Sequence, residues 1–272
     1  MPRIIAVDAI DDPRVEPYRD IRERDLVGRL GRFVAEGRVV IEKAVGSPGC
    51  RLESLLIAAH RLDGMADLLA KLDDATPVLA ASQAIIDAIA GFPLHRGLLA
   101  IGRRIDPPEA GPLLAALPEA ATILLLSAIA NHDNMGGIFR NAAAFGAKAV
   151  LLDSDCCDPL YRKAIRVSVG ATLLVPFARI PAGTDALNLL AGHDFQVAAL
   201  SPRGRVELAD MPVARRNAVL LGAEGPGLAA HLLDRATTVR LSMAGDFDSL
   251  NVATTSGIVL HQLFAAARRP PA

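Results

Sequence analysis

The chain has 272 residues, of which 51% are hydrophobic and 22% are charged, and its formal net charge is −1. This size and apolar content are enough to bury one large core or two modest ones, which excludes a chain that is disordered throughout. The near-neutral charge gives no global sign of a polyanionic partner, so a nucleic-acid-binding signal has to be local.

Neither a targeting segment nor a metal site is expected from the sequence. The opening MPRIIAVDAIDD contains acids where a signal peptide needs an apolar run, and no stretch reaches about 18 apolar residues. The three cysteines are odd in number and lack zinc-ligand spacing, as do the six histidines. We therefore expect a cytoplasmic protein with no metal, in which Cys50, Cys156 and Cys157 are reduced, buried thiols.

The first part of the chain predicts a short extension followed by a small α/β domain. Residues 1–30 form an N-terminal extension rich in both arginine and acids. Over 31–105, short apolar runs alternate with segments of helical periodicity, which is typical of an α/β unit. The predicted strands are 33–35, 52–58, 77–81 and 97–103, and the predicted helices are 37–45, 62–73 and 82–91.

A proline-rich stretch then predicts a linker, and a larger α/β domain follows it. Four prolines and a glycine lie within 105–120 and no periodicity persists there, so 106–118 is interpreted as the linker. Strands without polar alternation are buried on both faces, so apolar runs in 119–272 favour a parallel sheet covered by helices. The predicted strands are 121–129, 149–153, 171–177, 196–201, 218–224 and 238–243, and a last helix is predicted over about 249–267.

The first motif runs from Asn131 to Gly146, directly after a predicted strand. Asn134 is expected to cap the helix that follows and Gly146 to close it, while the glycines at 136–137 allow a ligand to approach the backbone. Arg140 then stands among apolar neighbours, where an arginine either snorkels to solvent or binds an anion. The residues alone leave both interpretations open.

The second motif, LLGAEGPGL, runs from Leu220 to Leu228. Its glycines are spaced G-x-x-G-x-G and interrupted by Pro226, which disfavours a dinucleotide-binding loop. Three glycines around Glu224 instead predict an irregular turn whose backbone groups face a ligand such as an adenine. A plain Gly-Pro turn with an exposed glutamate is the alternative.

The third motif runs from Leu241 to Ala253, where a strand breaks into a loop before the last helix. Ser249 is expected to be the N-cap of that helix. Asn251 would then occupy the second or third helical position, where its amide could meet a substrate.

Basic residues cluster locally in this otherwise neutral chain. The stretch 95–104 carries three arginines and no acid. In 159–184 the only charged residues are Arg162, Lys163, Arg166 and Arg179. Such clusters can bind the phosphates of RNA, and a solvated cationic face without a ligand is the alternative.

Together, these motifs resemble the SpoU-type (TrmH-like) members of the SPOUT RNA methyltransferases. The pattern N-x-x-N-x-G-x-x-x-R matches 131–140, G-x-E-G-x-G-L matches 222–228, and S-L-N-V matches 249–252. The stretch RVSVGA at 166–171 is similar to the family's R-x-S-x-G-A. One departure is Leu-Ser-Met at 241–243, where Ile-Pro-Met is usual, which loosens that turn.

The resemblance also implies the fold and the reaction. FVAEG at 33–37 opens a domain similar to the RNA-binding ribosomal-protein L30e type, and about 220–262 would form a deep trefoil knot in the SPOUT domain. The implied activity is transfer of a methyl group from S-adenosylmethionine to a ribose 2′-hydroxyl, in ribosomal RNA or, as the less favoured alternative, in transfer RNA. The implied assembly is a homodimer through the second domain. The implied cofactor-binding residues are Leu221, Gly222, Gly225, Met243, Leu250 and Ala253.

The implied catalytic residues are Arg140, Asn134, Ser249, Asn251 and Glu224. Because arginine stays protonated in proteins, we interpret Arg140 as a clamp on a phosphate and a stabiliser of the forming alkoxide rather than as a base. Asn134, Ser249 and Asn251 would orient the ribose, and Glu224 would fix the loop or the cofactor.

Two other functions remain open on the sequence. The chain could be an RNA-binding homologue without turnover, which the intact motif residues disfavour. It could also be a small-molecule methyltransferase of the conventional Rossmann type, which the missing early glycine-rich loop disfavours.

Overall fold

Strands and helices alternate along the chain. In a computed structural model, residues 2–19, 31–105, 107–245 and 249–268 are described. The strands are β1 (Ile4–Val7), β2 (Arg32–Glu36), β3 (Cys50–Ala58), β4 (Val78–Ala81), β5 (Leu98–Arg104), β6 (Ala121–Leu126), β7 (Ala149–Leu152), β8 (Phe177–Arg179), β9 (Gln196–Leu200), β10 (Val206–Glu207), β11 (Arg216–Leu221) and β12 (Thr237–Arg240). The α-helices are α1 (Arg38–Gly46), α2 (Ala66–Leu69), α3 (Gln83–Ala90), α4 (Ala110–Ala115), α5 (His132–Ala144), α6 (Arg162–Val167), α7 (Ala186–Ala191), α8 (Ala230–Leu233) and α9 (Val252–Ala267). No helix in these described ranges is long and apolar enough to cross a membrane.

These elements form two units. The first comprises Met1–Asp106 and Asp158–Leu174, and the second comprises Pro107–Cys157 and Val175–Ala272. The segment 158–174 was expected in the second domain, yet it packs within the first unit. There the side chains of Lys43 and Ser47 donate hydrogen bonds of 2.6 Å to its backbone carbonyl oxygens.

The first unit is built on a five-stranded sheet in the order β1-β4-β3-β5-β2. β4 pairs in parallel with β1 and β3, whereas β5 is antiparallel to β3 and β2. The predicted separate extension at 1–30 is therefore corrected over 2–19, because β1 is an edge strand of this sheet and Val15 and Tyr18 are fully buried. The rest of that extension, 20–30, lies outside the described residues. The alternation predicted for 31–105 is confirmed, with strands and helices close to their expected positions.

The second unit contains a seven-stranded sheet in the order β10-β12-β9-β11-β6-β7-β8. Every pairing in it is parallel, as the uniformly apolar strands predicted. Ile123, Leu125, Leu151 and Leu220 from its central strands lie together in the buried core. The parallel α/β class of this domain is therefore confirmed.

Two local predictions fail for the same reason. The proposed linker 106–118 contains α4, whose Ala110, Leu113 and Leu114 are buried in the second core. Six helical residues are too few to reveal a period, and a proline is tolerated in a first helical turn. The predicted strand 171–177 begins only at β8, because 171–173 form a 3-10 turn after the left-handed Gly170 (φ +78°). In both segments the apolar side chains are buried by tertiary contacts, and the local sequence pattern did not reveal which backbone structure they adopt.

Candidate active site

A cavity of about 910 Å³ lies at one edge of the second sheet. It is lined by residues from four segments, 200–203, 221–228, 239–243 and 249–255, and by Leu233. The first three segments begin at the carboxyl ends of β9, β11 and β12, which are neighbours in the sheet. Open parallel sheets bind their ligands at this edge, because the loops there surround a crevice. Its volume lies within the range of small-molecule and cofactor sites.

The structure brings most of the predicted cofactor-binding residues to this cavity. Leu221, Gly222, Gly225, Met243 and Leu250 line it. The remaining one, Ala253, lies at the contact between α5 and α9, where a Cβ built on Gly137 would be only 2.7 Å from the Ala253 Cβ. Its position supports the packing of the two helices beside the cavity.

The loop 222–228 folds back tightly on itself. A Cβ built on Gly222 would lie 2.8 Å from the Gly227 carbonyl carbon and the Leu228 nitrogen, so no other residue fits there without a backbone shift. Gly225 and Gly227 both have left-handed φ angles, +86° and +69°. The Gly227 N–H donates to the Ala223 carbonyl oxygen at 3.1 Å. A side chain would therefore clash with backbone at Gly222 and would strain the backbone at Gly225 and Gly227, so the turn favours glycine at all three positions.

Asn251 connects three parts of the site. It is the N-cap of α9, and its Oδ1 accepts from the backbone N–H groups of Ala253 (2.9 Å) and Thr254 (3.2 Å). Its Nδ2 donates to Asn134 Oδ1 at 2.8 Å and to Glu224 Oε1 at 2.9 Å. One amide therefore links the last helix, the first motif and the glycine loop.

The caps of both motif helices differ from the expectation. Asn131, not Asn134, is the N-cap of α5, with its Oδ1 accepting from the Asp133 N–H at 2.7 Å. Likewise Asn251, not Ser249, caps α9, and Ser249 is an exposed residue of the cavity lining. Since Asn134 is not occupied as a cap, its side-chain oxygen can accept from Asn251. Gly146 follows α5 with a left-handed φ of +71°, as predicted.

Arg140 lies on α5 but outside the cavity lining. Its side chain is exposed, and it makes no hydrogen bond or ion pair with the described part of the chain. At about 100° per residue, a separation of six residues places Arg140 about 120° around the helix from Asn134. The two side chains therefore face different directions from the same helix.

The four basic residues predicted to bind RNA are divided between the units. Arg162 pairs with Glu36 at 2.7 Å, both side chains being largely buried, and its guanidinium lies 4.7 Å from the Phe92 ring centroid. It is thus engaged within the first unit. Lys163 and Arg166 are exposed in that unit, whereas Arg179 lies in the second and donates to the Cys156 carbonyl oxygen at 3.0 Å.

A charged clamp beside the cavity was not predicted from the sequence. Ser242 Oγ donates to Glu207 at 2.8 Å, and Arg240 donates to Glu207 at 2.5 Å and to the Gly204 carbonyl oxygen at 2.8 Å. The hydrogen bond from Ser242 and the neighbouring Arg240 guanidinium hold the pKa of Glu207 below its ordinary value. The clamp joins the loop after β9 to the segment that carries Met243. The Pro-Arg-Gly turn at 202–204, directly after a strand, was the available signal.

The described residues provide no site for a metal ion, and the buried Cys156 thiol is not reactive. No group of three or more histidine, cysteine, aspartate or glutamate side chains there could hold a metal ion. Burial raises the pKa of Cys156 to about 12, so that thiol stays protonated and inert at neutral pH.

Comparison with known proteins identifies relatives of the whole chain. Proteins of Mycobacterium bovis and Mycobacterium tuberculosis, both named as uncharacterized tRNA/rRNA methyltransferases, are 37% identical to it over 261 residues. These matches cover 93% of this chain and 88% of each relative.

Solved structures share the fold. An AdoMet-bound rRNA methyltransferase from Sinorhizobium meliloti aligns with a TM-score of 0.82 at 24% identity, covering 97% of this chain and 98% of that one. The SpoU methyltransferase AviRb from Streptomyces viridochromogenes, in complex with AdoMet, gives a TM-score of 0.82 at 19% identity, with coverage of 94% and 99%.

The family model of the SpoU rRNA Methylase family matches residues 121–261, which is more than half of the chain. The matched region contains all three motifs and every residue that lines the cavity. This chain therefore belongs to the SpoU rRNA methylase family.

Proposed function

We propose that this protein transfers a methyl group from S-adenosylmethionine to a ribose 2′-hydroxyl of RNA. The observation that carries the proposal is the cavity at the carboxyl ends of β9, β11 and β12, lined by the second and third motifs. Family membership and the AdoMet-bound relatives of the same fold support it.

The residues present fit the cofactor. Gly222 lets the loop 222–228 fold tightly beside the cavity, and apolar Leu221, Met243 and Leu250 suit an adenine. We propose that these residues and Gly225 hold S-adenosylmethionine, with Ala253 supporting the site through helix packing. When bound, the cofactor supplies an electrophilic methyl group on a positively charged sulfur.

The chain's own groups then have to align the ribose and stabilise the developing charge. Asn251 is fixed by four hydrogen bonds, so it can hold Glu224 and Asn134 in place without rearranging. Ser249 is exposed at the cavity, where its hydroxyl can contact a ribose. Arg140 would grip the adjacent phosphate and stabilise the forming alkoxide, since a guanidinium binds phosphate through two parallel N–H groups.

We propose that the protein acts as a homodimer through the second unit. On α9, Ile258 and Phe264 have 42% and 37% of their surface exposed, and Phe145 at the end of α5 packs on Phe264. The surface that Ile258 and Phe264 bound spans about 120° of α9. It lies on the helix pair that includes Arg140, whose side chain points about 120° away from that of its own chain's Asn134. A second copy that covered the surface could receive that arginine at its own cavity.

The dimer is tested by light scattering on the wild type and on Ile258→Glu. We expect a dimer for the wild type and a monomer with retained cofactor binding but lost methyl transfer for the variant. A monomeric wild type with full activity would refute this assembly.

Three finer points are also proposed. We propose that 220–262 form the trefoil knot of the family, which an experimentally determined structure would test directly. We propose that the first unit selects the RNA. Lys163 and Arg166 of that unit and Arg179 of the second unit would contribute to binding it. Ribosomal RNA is the proposed substrate, because the matched family is described as one of rRNA methylases and the sequence of the first unit resembles ribosomal-protein L30e.

The deciding experiment is methylation of total bacterial RNA with labelled S-adenosylmethionine, followed by nucleoside analysis. We expect label in 2′-O-methylated nucleosides from ribosomal RNA. Label in a methylated base would refute the ribose assignment, and label in transfer RNA alone would refute the ribosomal one. RNA and cofactor binding without transfer would support the homologue without turnover instead.

A further inference from the structure

Strand register places three arginines side by side in the first unit. Arg32 on β2 lies opposite Arg103 on β5, and Arg103 lies opposite Arg51 on β3. Residues directly opposite each other in antiparallel strands point to the same face of the sheet. At the usual strand spacing, the three positions span about 10 Å. We call these three residues the arginine row.

The row carries more positive charge than its single acid neutralises. A β-bulge between Leu52 and Ser54 leaves Glu53 outside the strand pairing, and its carboxylate contacts Arg32 at 2.6 Å and also pairs with Arg103. The Arg51 side chain is exposed and makes no hydrogen bond or ion pair with the rest of the described chain. Two guanidinium groups thus contact one carboxylate, and the third, on Arg51, keeps its donors available.

A second cleft lies beside the row. Its volume is about 270 Å³, and its lining comprises Arg51, Leu52, Glu53, Ala75, Thr76 and Arg103. Arg103 keeps 51% of its side chain exposed despite its ion pair. The cleft is therefore concave and is lined by two arginines and one acid, in a chain whose formal net charge is −1.

This chemistry suits a chain of phosphates. Guanidinium groups bind phosphate oxygens through paired N–H donors, and a nucleic-acid strand presents about one charge per 3.4 Å of its axis, so several fall within the row. We propose that the arginine row and its cleft bind the phosphodiester backbone of the RNA substrate. This inference rests on the proposed function, because it assigns a contact for that same RNA.

The test uses the full-length protein and poly(U) RNA, because phosphate contacts do not depend on sequence. Binding is measured over a series of salt concentrations for the wild type, Arg51→Gln, Arg51→Glu and Glu53→Gln. The matched control is Arg215→Gln, which removes one exposed charge that is paired with the exposed Glu119 in the second unit. Thermal melts confirm that each variant folds, and a pyrophosphate titration tests for a small-anion site.

We expect Arg51→Gln to weaken binding several-fold and to reduce the slope of log affinity against log salt by about 0.7. Arg51→Glu should weaken binding further. Glu53→Gln should tighten binding, since Glu53 is the one acid among the described residues that line the cleft, whereas a purely structural ion pair predicts no gain. The control should behave as the wild type.

Unchanged affinity and slope in Arg51→Glu would overturn the inference, as would an equal loss in the control or weaker binding by Glu53→Gln. Pyrophosphate binding that is lost in Arg51→Gln while poly(U) binding persists would overturn the RNA assignment. Methyl transfer by the wild type is measured in parallel. Its absence refutes the proposed function, whereas its presence with unaltered binding by the variants refutes only the arginine row.

Discussion

Replacing Asn251 by aspartate separates its role as a helix cap from its role as a linker of the site. Asp and Asn are equally good N-caps, so Asn251→Asp should keep the bonds to the Ala253 and Thr254 N–H groups. It loses the Nδ2 donor and places a second carboxylate where the Glu224 contact was 2.9 Å. The helix should therefore survive while Glu224 moves away.

The magnitudes follow from these bonds. Loss of an N-cap costs about 1 kcal/mol, and a hydrogen bond to a charged group contributes about 1.5–3 kcal/mol, with the lower end applying at a partly exposed site. At about 2–4 °C per kcal/mol for a protein of this size, a loss of about 2.5 kcal/mol in Asn251→Ala should lower Tm by roughly 5–10 °C. Asn251→Asp keeps the cap, which contributes about 1 kcal/mol, so its Tm should lie roughly 2–4 °C above that of the alanine variant. Both should lower the single-turnover methylation rate at least about tenfold, since each 1.4 kcal/mol is a factor of ten.

The assay is single-turnover methylation at saturating cofactor and RNA, with a melting curve for each variant. Thr254→Ala is the matched control, because Thr254 is exposed on α9 three residues after Asn251, and the hydrogen bond to Asn251 comes from its backbone N–H. A wild-type rate in Asn251→Asp would refute the linking role. A Tm loss as large as that of the alanine variant would show that the network serves folding instead.

Substitutions at three other positions test the remaining parts of the site. Arg140→Ala should lower kcat by a factor on the order of 100 while cofactor affinity and Tm stay near wild type, and Arg140→Lys should recover little; a wild-type single-turnover rate would contradict its role. Gly222→Ala should abolish cofactor binding by calorimetry, because its Cβ would meet backbone at 2.8 Å, whereas Gly111→Ala, with open space around it, should bind normally. Ser242→Ala should weaken cofactor binding several-fold, whereas Ser242→Pro should retain binding because proline restricts the same turn. Equal losses of binding in the two variants would disprove this role of the turn. Because the pKa of Glu207 is lowered in the folded protein, its contacts with Ser242 and Arg240 should persist above the ordinary carboxyl range and be lost only as pH falls through that lowered pKa. Cofactor binding measured at a series of acid pH values would check this.

The fold class and the location of the site could be predicted from the sequence. Uniformly apolar strands such as β6 and β11 predict a parallel sheet because burial on both faces leaves no place for polar side chains. The glycines of 222–228 predict an irregular turn because only glycine adopts positive φ freely. Both patterns are local, so they can be recognised without knowing which other segments of the chain pack against them.

Only the tertiary structure decided which residues cap the motif helices, which unit holds 158–174, and how Asn251 joins Asn134 to Glu224. Asparagine and serine residues near a helix start are equally good caps in isolation, and the packing of α5 on α9 selects among them. Likewise, Ser242 and Glu207 are 35 residues apart and meet only because β10 and β12 are neighbours. Side-chain contacts between distant segments depend on strand order and register, which local patterns in the chain do not encode.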